Sequence, residues 1–152
     1  MKSQFLIETL NPSEALLVES QDVGKNIFLS GRFMTGGEKN GNGRVYPVDE
    51  IAKVVEHAMS RIKSGESLLG ELNHPDNLSI NLANVSHVIT ELRMDGNYAV
   101  GKAKILNTPS GNIARGLLEG GVRLGVSSRG TGNVNEGNVS DFNLVTVDIV
   151  AT

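Results

Sequence analysis

The sequence predicts a small α+β domain that is rich in strands, and three observations support this class. Several segments alternate apolar and polar residues with a period of two, as half-buried strands do. One segment after position 48 instead repeats its apolar residues at intervals of three and four, as an amphipathic helix does. The chain has 18 glycines and only 4% aromatic residues, which indicates tight turns around a thin aliphatic core. Its 152 residues suffice for one domain, so we predict a single domain over residues 1–152.

The alternating segments predict the strands of this domain. In chain order they cover residues 15–19, 26–34, 85–94, 98–106, 123–127 and 142–150. Asp95-Gly96-Asn97 predicts a hairpin turn between two of them, because Gly and Asn tolerate positive φ. A turn-rich bridge over residues 133–138 precedes the last strand. The chain stops just after that strand, which predicts a truncated C-terminus.

Two helices and one loop complete the predicted elements. The apolar stripe predicts a helix that begins at Val48 and ends at Ser64-Gly65. A shorter helix begins at Ser110 and ends at Gly120-Gly121. The loop over residues 35–44 is rich in Gly and Asn, and we predict that it is mobile.

Composition and charge exclude several classes of function. Lys and Arg total 14 against 17 Asp and Glu, and without a basic run we expect no nucleic-acid partner. The absence of cysteine excludes disulfides, thiolate catalysis and Cys-ligated zinc, and it fits a reducing cytoplasm. The N-terminus reaches a carboxylate at Glu8 before any apolar stretch suits a signal peptide. No segment approaches the roughly 20 apolar residues that span a bilayer, so we expect no membrane partner.

The three histidines differ in their value as a catalytic base. His57 lies on the polar side of the first helix, where a solvated surface role is expected. His87 lies beside Val85 and Ile89, as a buried structural histidine does. His74 follows a strand-like run and precedes Pro75, which biases its backbone to an extended conformation in a turn. We take His74 as the candidate base, and a plain turn residue is the alternative.

The segment Gly125-Val126-Ser127-Ser128-Arg129-Gly130 predicts a serine nucleophile. Small residues around Ser127 let a substrate carbonyl approach while backbone N–H groups turn toward the developing oxyanion. Ser128, Arg129 and Gly130 are candidate supports of that oxyanion site, and Arg129 would orient the amides or hold a water there. A Gly-Ser turn with an exposed Arg is the alternative.

Asp148 is the candidate third member of the site. It interrupts the apolar run 144–150, and a carboxylate inside a strand core is costly unless it is paired. Pairing with His74 would explain its presence. Alternation also permits an Asp on the solvent face of an edge strand.

Four blocks together resemble a known family. In order they are residues 40–47 (Asn-Gly-Asn-Gly-Arg-Val-Tyr-Pro), 70–75 (Gly-Glu-Leu-Asn-His-Pro), 125–130 and 147–150. They resemble the prohead core protein protease family of myovirus-type tailed phages. The resemblance implies that His74 is the base and Ser127 the nucleophile. Asp148 is the best match for the third member, and a dyad without a third member is the alternative. That family resembles the herpesvirus assemblins, so we expect a closed antiparallel β-barrel flanked by helices.

The resemblance also implies a function. We expect a serine endopeptidase that cleaves scaffold or core proteins, capsid precursors and itself, after Glu. The place implied is the assembling prohead in the host bacterial cytoplasm, with confinement or assembly into a homo-oligomer as the trigger. Glu8 and Glu19 are the candidate self-cleavage points.

Two other classes of function compete with this prediction. One is a non-catalytic scaffold or capsid-interaction module on the same fold. The other is a metal hydrolase that uses Glu71, His74 and Asp76, although their spacing matches no zinc signature. We therefore expect neither a metal nor a cofactor.

Overall fold

The computed structural model describes residues 3–151 and contains two sheets and three α-helices over that range. The strands are β1 Gln4–Leu10, β2 Val18–Gln21, β3 Ile27–Thr35, β4 Leu68–Glu71, β5 Val85–Asp95, β6 Tyr98–Ile105, β7 Gly125–Asn135 and β8 Asn138–Val150. The helices are α1 Pro12–Ala15, α2 Val48–Lys63 and α3 Pro109–Glu119, with a 3₁₀ helix at Leu82–Asn84.

The strands form two separate antiparallel sheets. One has three strands in the order β1-β7-β8, and the other has five in the order β2-β3-β6-β5-β4. The α+β class is therefore confirmed, but the predicted closed barrel is wrong for the part of the chain described. The isolated bridge between Leu72, which directly follows β4, and Ile149 of β8 is a pairing that approaches closure between the sheets. The chain leaves β1 through α1 instead of continuing into β2, because Pro12 starts a helical turn and Leu16 ends it with φ 51°.

The predicted strand 15–19 starts too early for the same reason. Asn11 caps α1 by accepting a hydrogen bond from the Glu14 amide at 3.1 Å. The Glu14 carboxylate accepts one in return from the Asn11 amide, also at 3.1 Å. This capping box draws Ala15 into the helix, so the strand begins at Val18.

The β7–β8 hairpin is longer than the sequence predicts. We expected a turn-rich bridge over residues 133–138, whereas β7 continues to Asn135 and β8 begins at Asn138. The turn is only Glu136-Gly137, with φ of 52° and 83°, values that suit the tight turns of two-residue hairpins. This turn and the register shifts between Thr131 and Asn133 and between Arg129 and Gly130 together place Ser127 directly opposite Asp148.

The core lies between α2 and the two sheets. Helix α2 buries Ile51, Val54, Val55 and Ala58 on one face, as its apolar stripe predicts, and packs against β5 and β8. The β5–β6 hairpin at Gly96-Asn97 and the two longer helices are confirmed within one or two residues. Strand β1 was not predicted, although its Leu6 and Leu10 are part of the core.

His87 is a structural residue in the interior of the five-stranded sheet. It is 1% exposed, and its Nε2 donates to the Val147 carbonyl at 2.8 Å. Its Nδ1 lies 2.8 Å from the Ser86 hydroxyl, which donates to it. Burial lowers the pKa of His87 to about 4, so the ring is neutral at physiological pH. Gly70 makes room for it, because a Cβ at position 70 would lie 2.1 Å from Nε2.

This buried histidine predicts a loss of stability in acid. In the unfolded chain the His87 ring binds a proton below about pH 6.5, whereas in the folded chain it binds one only below about pH 4. The stability that neutral His87 contributes is therefore complete above pH 6.5 and lost as the pH falls through that window. The loss should reach about 2.5 kcal/mol at pH 4.5, measured by urea unfolding.

Two variants isolate the effect. His87→Gln should show a shallower acid loss than the wild type, whereas His57→Gln, at an exposed position of α2, should not change it. Equal acid slopes for the wild type and His87→Gln would contradict the assignment.

Candidate active site

Ser127 lies on the middle strand of the three-stranded sheet. Its direct cross-strand partners are Thr9 on β1 and Asp148 on β8. Ser127 is fully buried, and its Oγ accepts a hydrogen bond from Thr9 Oγ1 at 3.2 Å. Thr9 itself is exposed, so only the edge strand separates this hydroxyl from solvent on that side.

The two adjacent serines face opposite sides of the sheet. Ser127 shares a face with Thr9 and Asp148, since directly paired residues project to the same side. Ser128 projects to the other face with its partner Glu8 and lines a cavity of about 260 Å³. The pairing therefore separates two residues that the sequence alone treats as near equivalents.

His74 lies in the segment that leads from β4 toward the face of Ser127. Leu72 bridges to Ile149, and the Asn73 amide donates to the Ile149 carbonyl at 2.7 Å. Ile149 pairs with Val126, the neighbour of Ser127, so the segment enters at the level of the candidate nucleophile. His74 is half-buried, and its Nδ1 is buried without a hydrogen-bond partner in residues 3–151.

Asp148 is paired with Arg129. Its Oδ2 accepts from Arg129 Nε at 2.7 Å, and its Oδ1 accepts from Arg129 Nη2 at 3.1 Å and from the Glu71 amide at 2.9 Å. Its hydrogen bonds in the described part of the chain do not include His74. Burial raises the pKa of Asp148, and the hydrogen bonds from Arg129 and Glu71 oppose that rise.

Arg129 uses its whole guanidinium inside the protein. It is 0% exposed, which excludes the exposed Arg of the turn alternative. Besides Asp148, it donates to the Glu71 carboxylate at 3.0 Å and to the carbonyls of Asn77 and Ser79 at 2.9 and 3.1 Å. Since a guanidinium has five N–H donors, none remains for a water at an oxyanion.

Glu71 and Arg129 together fasten the segment that carries His74. Glu71 Oε2 also accepts from the Asn81 amide at 3.1 Å, so residues 71–81 are held at both ends and near the middle. The metal-hydrolase alternative has no geometric support, because residues 3–151 contain no group of three side chains arranged to bind a metal. The sequence signal for this network is Asp148, a charged residue inside an apolar strand. From the sequence, Asp148 is predicted to pair with His74, whereas in the structure it pairs with Arg129.

Gly130 has a packing reason as well as its predicted oxyanion role. A Cβ at this position would lie 2.2 Å from the Asn143 carbonyl and 2.8 Å from the Phe142 ring. The register of β7 and β8 also shifts between Arg129 and Gly130. The role of the Gly130 amide at an oxyanion stays a prediction.

The two candidate self-cleavage residues lie in different settings. Glu19 is exposed on β2, an edge strand. Glu8 is held on β1 by side chains of the 40–47 block: Asn40 and Asn42 donate to Oε1, each at 2.8 Å, and Arg44 Nε and the Tyr46 hydroxyl donate to Oε2, the former at 2.7 Å. In the sequence this block carries the family resemblance, and no local pattern connects it with Glu8.

The segment predicted to be mobile has defined internal contacts. The Asn40 carboxamide accepts from the amides of Asn42 and Arg44, each at 3.0 Å. Gly43 has φ 79° and its amide donates to the Asn40 carbonyl at 2.9 Å. These bonds close a tight loop, whose mobility remains a prediction.

Comparisons with known proteins place the chain in the class of serine proteases. Residues 2–151 match the family described as prohead core protein serine protease, and the chain belongs to that family. The prohead core protein protease of Enterobacteria phage T4 is 30% identical over 149 residues, which cover 89% of this chain and 69% of that protein. The structure of the bacteriophage T4 capsid assembly protease, gp21, matches with a TM-score of 0.86 and 27% identity, covering 100% of this chain and 99% of the other.

These comparisons confirm the family, the enzyme class and the role in phage head maturation that the four sequence blocks predict. They leave the individual site residues and the cleavage specificity as predictions. Residues 3–151 hold no helix whose length and apolarity would let it cross a membrane.

Proposed function

We propose that Ser127 is the nucleophile and His74 the general base of this prohead protease. The observation that carries this proposal is the position of Ser127. It faces the side of the sheet on which segment 71–81 is fastened, while Ser128 faces away.

The reaction is acyl transfer from an amine to water. His74 takes the proton of Ser127 Oγ as Oγ bonds to the substrate carbonyl carbon. His74 then gives that proton to the leaving amine as the C–N bond breaks, and water hydrolyses the resulting ester with His74 again as base. Backbone N–H groups near Arg129 and Gly130 would stabilise the oxyanion.

Asp148 enters this proposal as a residue that positions others. Its bonds to Arg129 and the Glu71 amide hold the segment that carries His74. A direct bond to His74 Nδ1, the role first predicted for Asp148, would need the two groups to approach when substrate binds.

For substrates, we propose scaffold or core proteins and capsid precursors, cut after Glu inside the assembling prohead in the host cytoplasm. The same activity would cut the chain itself at Glu8 and Glu19. The exposure of Glu19 supports cleavage by a second copy, whereas Glu8 lies on β1 beside Ser127 of the same chain. Confinement or formation of a homo-oligomer would favour such encounters.

Covalent labelling tests the nucleophile. A peptidyl aryl phosphonate carrying Glu should form a bond from Ser127 Oγ to phosphorus with loss of the aryloxide, and peptide mapping by mass spectrometry should locate it. We expect labelling in the wild type and in Ser128→Ala, and none in Ser127→Ala or His74→Ala. Labelling that persists in Ser127→Ala would overturn the assignment, and no labelling of any variant would favour the non-catalytic module.

A further inference from the structure

We propose that Asn40, Asn42, Arg44 and Tyr46 form a receptor for a glutamate side chain on an extended peptide, and that Glu8 of β1 is its resident occupant. We call these four residues the carboxylate receptor. The inference rests on the proposed function, because it places the peptide bond that follows the bound glutamate beside Ser127.

The carboxylate receptor saturates both oxygens of Glu8. Each oxygen accepts two hydrogen bonds, of which one comes from the charged Arg44 and the other three from neutral side chains. Burial, followed by the hydrogen bond to Glu8, raises the pKa of Tyr46, so its hydroxyl remains a donor. Charge-assisted bonds of this kind are about twice as strong as neutral ones.

The receptor also binds the main chain ahead of the glutamate. Asn42 Nδ2 donates to the Ile7 carbonyl at 3.1 Å, and Arg44 Nη2 donates to the same oxygen at 3.3 Å. Contacts to a backbone carbonyl and to the next side chain together are the combination by which extended peptides are recognised.

The loop that carries the receptor is ordered by contacts that do not involve Glu8. The Asn40 carboxamide holds the amides of Asn42 and Arg44. The Val45 amide donates to the Gly137 carbonyl at 2.7 Å and its carbonyl accepts from Val139 at 2.9 Å, which ties the loop to the β7–β8 turn. The donors are therefore positioned before a carboxylate arrives, which lowers the entropic cost of binding one.

The register brings a bound glutamate to the nucleophile. Glu8 pairs with Ser128 and Thr9 with Ser127, so the Glu8–Thr9 peptide bond runs alongside Ser127. Strand β1 is the edge of its sheet, the position at which another strand can take its place. Its buried Leu6 and Leu10 hold β1 in the sheet of the free chain, where Thr9 of β1 lies against the buried Ser127.

Peptide binding to the full chain carrying Ser127→Ala tests the receptor without interference from cleavage. The probes are two dye-labelled copies of residues 4–13, one with Glu and one with Gln at position 8, followed by fluorescence anisotropy. The Glu peptide should bind about 10- to 100-fold more tightly than the Gln peptide. Arg44→Gln should remove this preference. Tyr46→Phe, which should reduce it, replaces Arg44→Gln as the test variant if Arg44→Gln does not fold.

Glu8→Gln provides a result of opposite sign. Weakening the resident occupant should tighten binding of the Glu peptide, whereas Arg44→Gln loosens it. Arg61→Gln is the matched control, because Arg61 in the last turn of α2 forms an exposed ion pair with Glu66 at 3.1 Å. This variant should leave peptide binding unchanged.

Two outcomes separate this inference from the proposed function. If Arg44→Gln and Glu8→Gln lower only the unfolding midpoint and neither changes the Glu preference, the contacts are merely structural and the receptor is overturned, even where Ser127 is labelled. If the Glu preference depends on Arg44 while Ser127 resists labelling, the receptor stands and the nucleophile assignment falls.

Discussion

Ser127→Ala is expected to lower the turnover of a Glu-containing peptide by on the order of 10⁶, the loss typical when a nucleophile is removed from a set of residues that act as a unit. Ser127 supplies the oxygen that forms the ester, and the neighbouring Thr9 hydroxyl on the same face has no such role in the proposed chemistry. Ser128→Ala should cost far less, since its side chain lies on the opposite face. Initial rates of the full-length chain, at a concentration at which the wild type is labelled, measure both.

The fold should survive this substitution. Ser127 loses one hydrogen bond with Thr9, and a neutral bond contributes only about 0.5–1.5 kcal/mol. An inactive Ser127→Ala protein with a wild-type unfolding midpoint is therefore the expected pair of results. A Ser127→Ala protein that retains activity while Ser128→Ala is inactive would move the nucleophile to the other face and end the proposal.

Arg129→Met is expected to destabilise the protein by about 3–5 kcal/mol, because it leaves two buried carboxylates without their cation. Asp148 and Glu71 are 0% and 1% exposed, and together with two backbone carbonyls they accept all the hydrogen bonds of Arg129. Arg129→Lys should recover only part of the loss, since an ammonium cannot match a planar fork of donors. Urea unfolding at pH 7 measures the effect.

Two comparisons show whether the buried pairing is the cause. Arg61→Gln removes an exposed pair and should cost less than about 1 kcal/mol. Arg129→Met combined with Asp148→Asn and Glu71→Gln should regain much of the loss, because the unpaired charges are then gone. Arg129→Met with a stability equal to that of Arg61→Gln would contradict the role of the network.

The sequence was informative where the signal is local or where several blocks occur in order. Helix α2 followed from the spacing of Ile51 and its neighbours, and the β5–β6 hairpin followed from Gly96 and Asn97, because each depends on residues close in the chain. The four blocks identified the family before any coordinates. Strand β1 was not predicted, because Glu8 and Thr9 interrupt its alternation of apolar and polar residues. The partners of these two side chains lie more than thirty residues away in the sequence.

The partners of buried charges could not be predicted from the sequence for a related reason. Asp148 is paired, as a carboxylate inside a strand core requires, but its partner is Arg129 and not the His74 predicted from the sequence. The structure assigns Arg129, two positions along the adjacent strand from Ser127. The choice depends on the register of β7 and β8, which the two-residue turn at Glu136-Gly137 and two register shifts along the hairpin set together.

By itself, then, the sequence determined the α+β class, the long helix, the family and a short set of candidate side chains around His74 and Ser127. The tertiary structure alone decided that the sheets stay open, that Ser127 and Ser128 face opposite ways, and that Glu8 lies in a ring of donors. The physical reason is that alternation and capping act over a few residues, whereas strand pairing and the satisfaction of buried charge are settled between segments distant in the chain.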